Sequence, residues 1–212
     1  MAILTYSDLQ TSIASFLART DLTAQIPDFI KLAESRMSRE LETRSQEKRV
    51  QATLTAGNEY ISLPTDMREI RSVKLNTSPL TILEYKSPTQ IDSDYSTTGL
   101  NKPDAYSVVG SDLKLRPVPD SAYVAEIIYI GDIEALSATN TTNNILTRHP
   151  DAYLSGSLVE AYTYLMDEQR AQVYDQKFSR AIEEIRKDEQ RAQYGSGTLK
   201  IQSIYQRQNS GV

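Results

Sequence analysis

The feature that most constrains this 212-residue chain is a change of hydrophobic period, from helical to alternating near residue 45 and back near residue 146. Apolar residues at steps of three and four demand a helix with one covered face, whereas alternation demands a strand with one covered face. The two ends of the chain therefore supply helices and the middle supplies a sheet.

The helical pattern is clearest over residues 21–42. Ile26, Ile30, Ala33, Met37 and Leu41 form one stripe, and Lys31, Glu34, Arg36, Ser38, Arg39 and Glu40 fill most of the remaining surface. Pro27 sits where a first-turn proline costs nothing, because that N–H has no intrahelical partner. A helix before it spans residues 7–19, with Leu9, Ile13, Phe16 and Leu17 on one face. Ser7 and Gln10 have capping-box spacing, and Thr5 with Asp8 is a near variant.

In the middle, Val50, Ala52 and Leu54 alternate with Gln51 and Thr53, and Ala56-Gly57-Asn58 turns the chain into a strand at 59–63. Strands are expected at 68–75 and 80–85. Segments 105–109 and 113–116 flank Gly110-Ser111-Asp112 as a hairpin, since glycine permits positive φ. Residues 123–130 are nearly continuously apolar, the pattern of a central strand. Ser87, Pro88 and Gln90 supply N-cap, first-turn proline and capping-box partner for one short helix. The polar run 137–144 is a loop, and its Asn140-Thr141-Thr142 sequon needs no glycan to explain it.

Pro150 opens a third helix carrying Leu154, Leu158, Ala161 and Leu165 at helical spacing. Tyr174, Phe178, Ala181, Ile182 and Ile185 continue the pattern. No glycine or proline lies between Gly156 and Gly195, so one bent helix would satisfy it; the lapse of the stripe at 167–170 favours a hairpin into a fourth helix. Gly195-Ser196-Gly197 then reads as a hinge. Beyond it Leu199, Ile201, Ile204 and Tyr205 stand among polar and basic residues, a composition suited to ordering on a partner. Leu199 and Ile201 have strand spacing, whereas Ile201, Ile204 and Tyr205 have helix spacing.

Chemistry is sparse. There are no cysteines, hence no disulfide or thiolate metal site, and His149 is the only histidine. A lone histidine directly before Pro150 reads as a capping or surface residue. No P-loop and no nucleophile elbow is present. Asp92, Asp94 and Asp104 lack the ligand number and glycine placement of a calcium loop. Paired Glu183 and Glu184 read as a solvated helix face. No enzyme, cofactor or metal is expected. The net charge of −5, with acids and bases interspersed, argues against a nucleic-acid reader. Apolar runs are too short to span a membrane, and the first residues lack the pattern of a signal peptide, so an intracellular site of assembly is expected. Thirteen tyrosines against three phenylalanines and no tryptophan favour surfaces that assemble.

The run Leu22, Ile26-Pro27, Phe29-Ile30, Leu32-Ala33-Glu34, Arg36, Arg39 and Glu40-Leu41 resembles the opening signature of phage head-to-tail adaptor (connector) proteins. Leu63-Pro64-Thr65-Asp66 with Arg68-Glu69-Ile70, and Pro103, Ala105-Tyr106, Leu113-Lys114-Leu115 and Pro117-Val118-Pro119, resemble that family's central segments. Asn143-Asn144-Ile145-Leu146, His149-Pro150-Asp151, Tyr153-Leu154 and Ala161-Tyr162 resemble the block around its third helix. The order and spacing of these motifs are more specific than any one of them.

The resemblance implies an α+β fold: a helical bundle formed by the N- and C-terminal helices, a β-rich lobe inserted between helices two and three, and an extended C-terminal arm. The expected boundaries are 1–44 and 147–194 for the body, 45–146 for the lobe and 195–212 for the arm. So large a β insertion resembles the adaptors of short-tailed phages. The implied role is a structural virion protein that forms a ring, usually of twelve subunits, beneath the portal protein. Such a ring lines the exit channel through which DNA passes without specific binding, and carries the remaining tail. Its partners are the portal, contacted here by Leu199, Ile201, Ile204 and Tyr205, further copies of itself, and nozzle, fibre or tail completion proteins; no membrane is involved. The rival reading is a cytosolic interaction scaffold or regulatory module that forms no ring.

Overall fold

The computed structural model describes residues 2–95 and 99–194 and is a mixed α+β fold. Helix α1 spans Tyr6–Leu17 and α2 spans Ile26–Glu40. The cap of α1 is Thr5 rather than Ser7. Thr5 Oγ1 accepts the Asp8 N–H at 3.2 Å, and the Thr5 N–H donates to the Asp8 carboxylate at 3.0 Å. A carboxylate in the first turn also meets the positive end of the helix, which the Ser7–Gln10 alternative cannot offer. Pro27 occupies the first turn of α2 as expected.

A 3-10 turn at Arg44–Gln46 leads into the strands. These are β1 Glu47–Thr53, β2 Tyr60–Ser62, β3 Met67–Leu75, β4 Thr81–Ile82 and β5 Glu84–Tyr85, then helix α3 Pro88–Asp94. Strands β6 Leu100–Asn101, β7 Ala105–Val109, β8 Asp112–Arg116, β9 Val118–Pro119 and β10 Val124–Gly131 follow. One sheet has the order β1-β10-β3-β4, a second β2-β8-β7-β5, and β6 pairs with β9. The apolar strand β10 is central, antiparallel to both neighbours. Gly110, at φ 63°, makes the β7–β8 hairpin, and Ser87 caps α3 in the expected box.

The single strand expected at 80–85 is instead two. Leu83 is buried between them, so β4 pairs with β3 in the first sheet and β5 with β7 in the second. Val73, Leu75, Ala125, Ile127 and Tyr129 from the first sheet meet Tyr106, Leu113 and Leu115 from the second in one apolar core.

A second core joins the two ends of the chain. It takes Leu9 and Ile13 from α1, Ile26, Ile30 and Met37 from α2, and the later helices α4 Asn144–Arg148, α5 Pro150–Tyr164 and α6 Glu168–Tyr194. The short α4, capped by Asn143, falls where the sequence pattern suggested no helix. The reading of α5 as a one-sided amphipathic helix is also corrected. It packs against α1, α2, α4 and α6, so Ser155, Gly156, Ser157 and Val159 are buried along with Leu158 and Ala161 of the expected stripe, whereas Leu154 and Leu165 are half-buried. Gly156 permits the closest approach: a Cβ there would lie 2.9 Å from the Phe178 ring and 3.2 Å from Ala33 Cβ.

The hairpin between α5 and α6 is present, with its turn at Leu165–Asp167, slightly earlier than expected. Met166 takes the left-handed slot at φ 56°. The Asp167 N–H donates to the Tyr162 carbonyl at 2.9 Å and the Met166 N–H to Thr163 at 3.0 Å, the hydrogen-bond pattern of a Schellman stop.

Candidate assembly surfaces

The two cores are connected by two crossings, residues 41–46 and 131–143, and polar contacts pin both. Glu34 is the centre of this arrangement. The stripe reading placed it on the surface; it is 7% exposed. Its Oε1 accepts the Leu136 N–H at 2.8 Å and the Tyr153 hydroxyl at 3.1 Å. Tyr153 in turn accepts from Asn143 Nδ2 at 2.5 Å, and Ser38 Oγ accepts the Ile133 N–H at 3.2 Å. One segment of the return crossing is thus sewn to α2 and α5. Burial pushes the Glu34 carboxyl above the ordinary glutamate range, opposed by these donors, and burial also raises the Tyr153 phenol. A signal for this was present: Ile30, Glu34, Met37 and Leu41 lie on one stripe at helical spacing, so the acid interrupts an apolar face.

The other crossing leaves the C-terminal end of α2, whose carbonyls need donors. Arg186 on α6 donates to the Glu40 carbonyl at 2.6 and 3.1 Å, and Arg68 on β3 donates to the Leu41 carbonyl at 3.4 Å. Cations at a helix C-terminus also complement its dipole. Arg44 pairs with Glu189, and Arg71 with Glu42. On the sheet side, Lys48 and Asp66 are 2.7 Å apart and Tyr129 donates to the same carboxylate. The Lys48 contact, aided by Tyr129, holds the Asp66 carboxyl below its ordinary range.

Catalytic geometry does not assemble from the residues that raised the question. His149 stands at the joint between α4 and α5 and makes no side-chain capping bond. Asp92 pairs with Lys114 at 2.5 Å and Asp94 with Lys86 at 2.7 Å, while Asp104 accepts from the Tyr95 hydroxyl. Burial, together with Asp104, pushes Tyr95 up to about 12. Three separate partners thus divide the three carboxylates. Among the described residues no group of three His, Asp or Glu side chains could hold a metal ion. Glu183 and Glu184 lie on α6, paired with Lys187 and Arg180.

What the surface does offer is apolar area. At the α5–α6 turn Met166 is 89% exposed, with Tyr164 and Val173 half exposed nearby in the chain. Tyr164 packs against Phe29 with ring centroids 5.6 Å apart. A groove of about 400 Å³ runs between the end of α1, α5 and α6, lined by Phe16, Leu154, Tyr174 and Ala181, with Lys177 on its rim. On the β region, Ile82 is 71% exposed on the edge strand β4, and Leu80, Tyr85 and Leu100 are also open to solvent. The arm residues Leu199, Ile201, Ile204 and Tyr205 lie outside the described residues.

A fold of capped helices and small sheets, with no group able to hold a metal ion among the described residues, is compatible with many roles. The family model described as SU10 adaptor protein matches residues 4–201, which takes in both helical ends and the whole β region. The chain belongs to the SU10 adaptor protein family. This agrees with the resemblance to phage head-to-tail adaptors, and it makes the chain a structural adaptor of the virion. A search of curated proteins found no match. For an SU10 adaptor protein the surfaces that matter are those that meet other chains. Among the described residues, no helix is long and apolar enough to cross a membrane.

Proposed function

We propose that this SU10 adaptor protein forms a closed ring of about twelve subunits beneath the portal, lines the channel through which DNA leaves, and carries the rest of the tail. The family match across residues 4–201 carries the reading. The helical body (1–44 and 147–194) supplies a stiff wall: α6 alone has 27 residues, roughly 40 Å at 1.5 Å per residue. The lobe (45–146) presents its exposed strand edges and apolar side chains to nozzle, fibre or tail completion proteins. The arm (195–212) anchors on the portal through Leu199, Ile201, Ile204 and Tyr205. The role is structural and needs no catalytic site. An acidic chain, net −5, fits a conduit, because it does not replace the counterions of passing DNA and hold the phosphates.

A ring requires that one patch of each copy meet a different patch of the next. Mass photometry of the full chain with and without portal, together with a reconstruction of the particle, tests the reading. A closed coaxial ring at the portal is expected. A single copy at the head–tail junction, or a chain absent from the particle, would return the function to a scaffold that forms no ring.

A further inference from the structure

We propose that the free edge of β1 is the docking surface for the arm of the same chain: residues 199–205 lie along it as an added strand until the portal takes them. The hand-over to the portal rests on the proposed role of the arm; the pairing does not.

The first observation is the edge. β1 has a strand neighbour on one side only. The Leu54 N–H donates to the Tyr123 carbonyl at 2.7 Å, and the register runs from there without a bulge to Glu47 opposite Ile130. The even-numbered residues therefore hold the bonds to β10, and the backbone groups of the residues between them point the other way. Those of Arg49, Gln51 and Thr53 have no hydrogen-bond partner among the described residues. The other edges of the two larger sheets are blunted by length, with three residues in β2 and two each in β4 and β5. β1 has seven and no proline. Its charges sit in the first half, where Lys48 is held by Asp66 and Arg49 lies 3.6 Å from Glu126. Residues 50–53 carry no such guard.

The second observation is where the chain leaves α6. Glu189 accepts the Arg44 backbone N–H at 3.0 Å and borders one cleft with Glu47, the first residue of β1. The helix ends five residues later, roughly 8 Å further along its axis. Residues 195–198, which include the Gly195-Ser196-Gly197 hinge, span up to about 14 Å. So short a tether gives the chain's own arm a high effective concentration at this edge, which selects it over the arm of a second copy. An arm entering beside Glu47 runs parallel to β1, as β5 does to β7 and β6 to β9.

The third observation is the match of side chains. At strand period Leu199, Ile201, Ser203 and Tyr205 share one face, with Ile204 on the other. The inner face of β1 carries Val50 and Ala52, only half-buried because the core of the β region stops at this edge. An added strand lays its apolar face beside them. On the outer face Arg44 pairs with Glu189, and Arg71 with Glu42 and Glu69, so Glu47 has no cation among the described residues. Lys200 stands on the polar face of the arm, and the arm has no acidic residue. Ordering the arm offsets much of what its bonds return, so the hold is light and is lost well below the melting temperature.

Residue-resolved hydrogen exchange tests the pairing on the full chain, on a chain without 195–212, and on a full chain with Ile201→Pro and Gln202→Pro. Of two adjacent prolines, one takes a bonding position whatever the register, and no described core residue lies in the arm. The amides of Arg49, Gln51 and Thr53 should exchange about tenfold faster in both variants. Those of Lys48, Val50 and Ala52, bonded to β10, should not change. Saturating portal protein should give the full chain the same fast exchange at the first three amides. Equal exchange of those three in all three proteins overturns the pairing and leaves the portal role of the arm standing. Protection that grows with protein concentration assigns the strand to a second copy and also overturns it. Slow exchange in the full chain, with portal-bearing heads bound equally well by the truncated chain, supports the pairing and overturns the portal role.

Discussion

The Tyr153 hydroxyl donates to a Glu34 carboxylate oxygen at 3.1 Å, joining residues 119 positions apart inside the helical core. Because the same oxygen accepts the Leu136 N–H at 2.8 Å, one buried acid holds α2, α5 and the crossing from the β region together. Glu34→Ala should leave two buried donors without an acceptor, at a cost of about 1–3 kcal/mol for each unsatisfied group. A urea titration of wild type and variant measures it; a midpoint unchanged by the substitution would show that the network contributes nothing.

Glu34 also sets a pH dependence. Its carboxyl is raised in the folded protein, mainly by burial, so the folded state holds its proton more tightly than the unfolded state. The stability this gives is fully present below the unfolded value, about 4.3, and is lost as pH rises through the folded value. Glu34→Gln, which carries no titrating group, should lose this falling component, so the stability difference between variant and wild type should shift in the variant's favour as pH rises through that window. Parallel pH profiles for the two proteins would refute it.

Asp66 works in the opposite direction. Lys48 at 2.7 Å, with Tyr129, holds its carboxyl low, so its contribution is present above the unfolded value, about 3.9, and is lost as pH falls through the lower folded value. Asp66→Asn should lower stability at neutral pH and make the acid limb shallower. Thermal melts across pH 2 to 7, chosen to span the roughly 3.9 reference, provide the measurement, and an acid limb as steep as that of wild type would count against the role.

Gly156→Ala should be costly although alanine is the better helix former. The new Cβ would meet the buried Phe178 ring at 2.9 Å and Ala33 at 3.2 Å, and neither is the free end of a flexible side chain. Overpacking of this kind costs about 1–3 kcal/mol, more than the roughly 1 kcal/mol that helix propensity returns. Calorimetry should show a lower melting temperature, partly recovered by Phe178→Leu; a higher one would mean that α2, α5 and α6 can separate at little cost.

Deletion of 195–212 tests the arm. The described apolar core draws its last residue from Ile185, so the truncated chain should fold with an unchanged melting temperature while its attachment to portal-bearing heads falls sharply. Each apolar side chain lost would otherwise contribute roughly 1.5–3 kcal/mol if fully buried, repeated around a ring. Unchanged attachment would move the portal contact onto the helical body.

Where a local rule governs the backbone, the sequence by itself determined the outcome. Pro27 opens α2, Ser87 and Gln90 box the start of α3, Gly110 turns β7 into β8, and the apolar run at 123–130 takes the middle of its sheet as β10. Each depends on φ preferences, missing donors or spacing within a few residues, and those travel with the chain. Tertiary structure decided the rest. Which partner covers a face is not a local property: Glu34 is buried because Leu136 and Tyr153 arrive from more than a hundred residues away to satisfy it. Segment 80–85 divides between two sheets because Leu83 is drawn into the core they share. The α5–α6 hairpin stops on a methionine because the packed helices on both sides hold the turn in place, against the local preference of its residue.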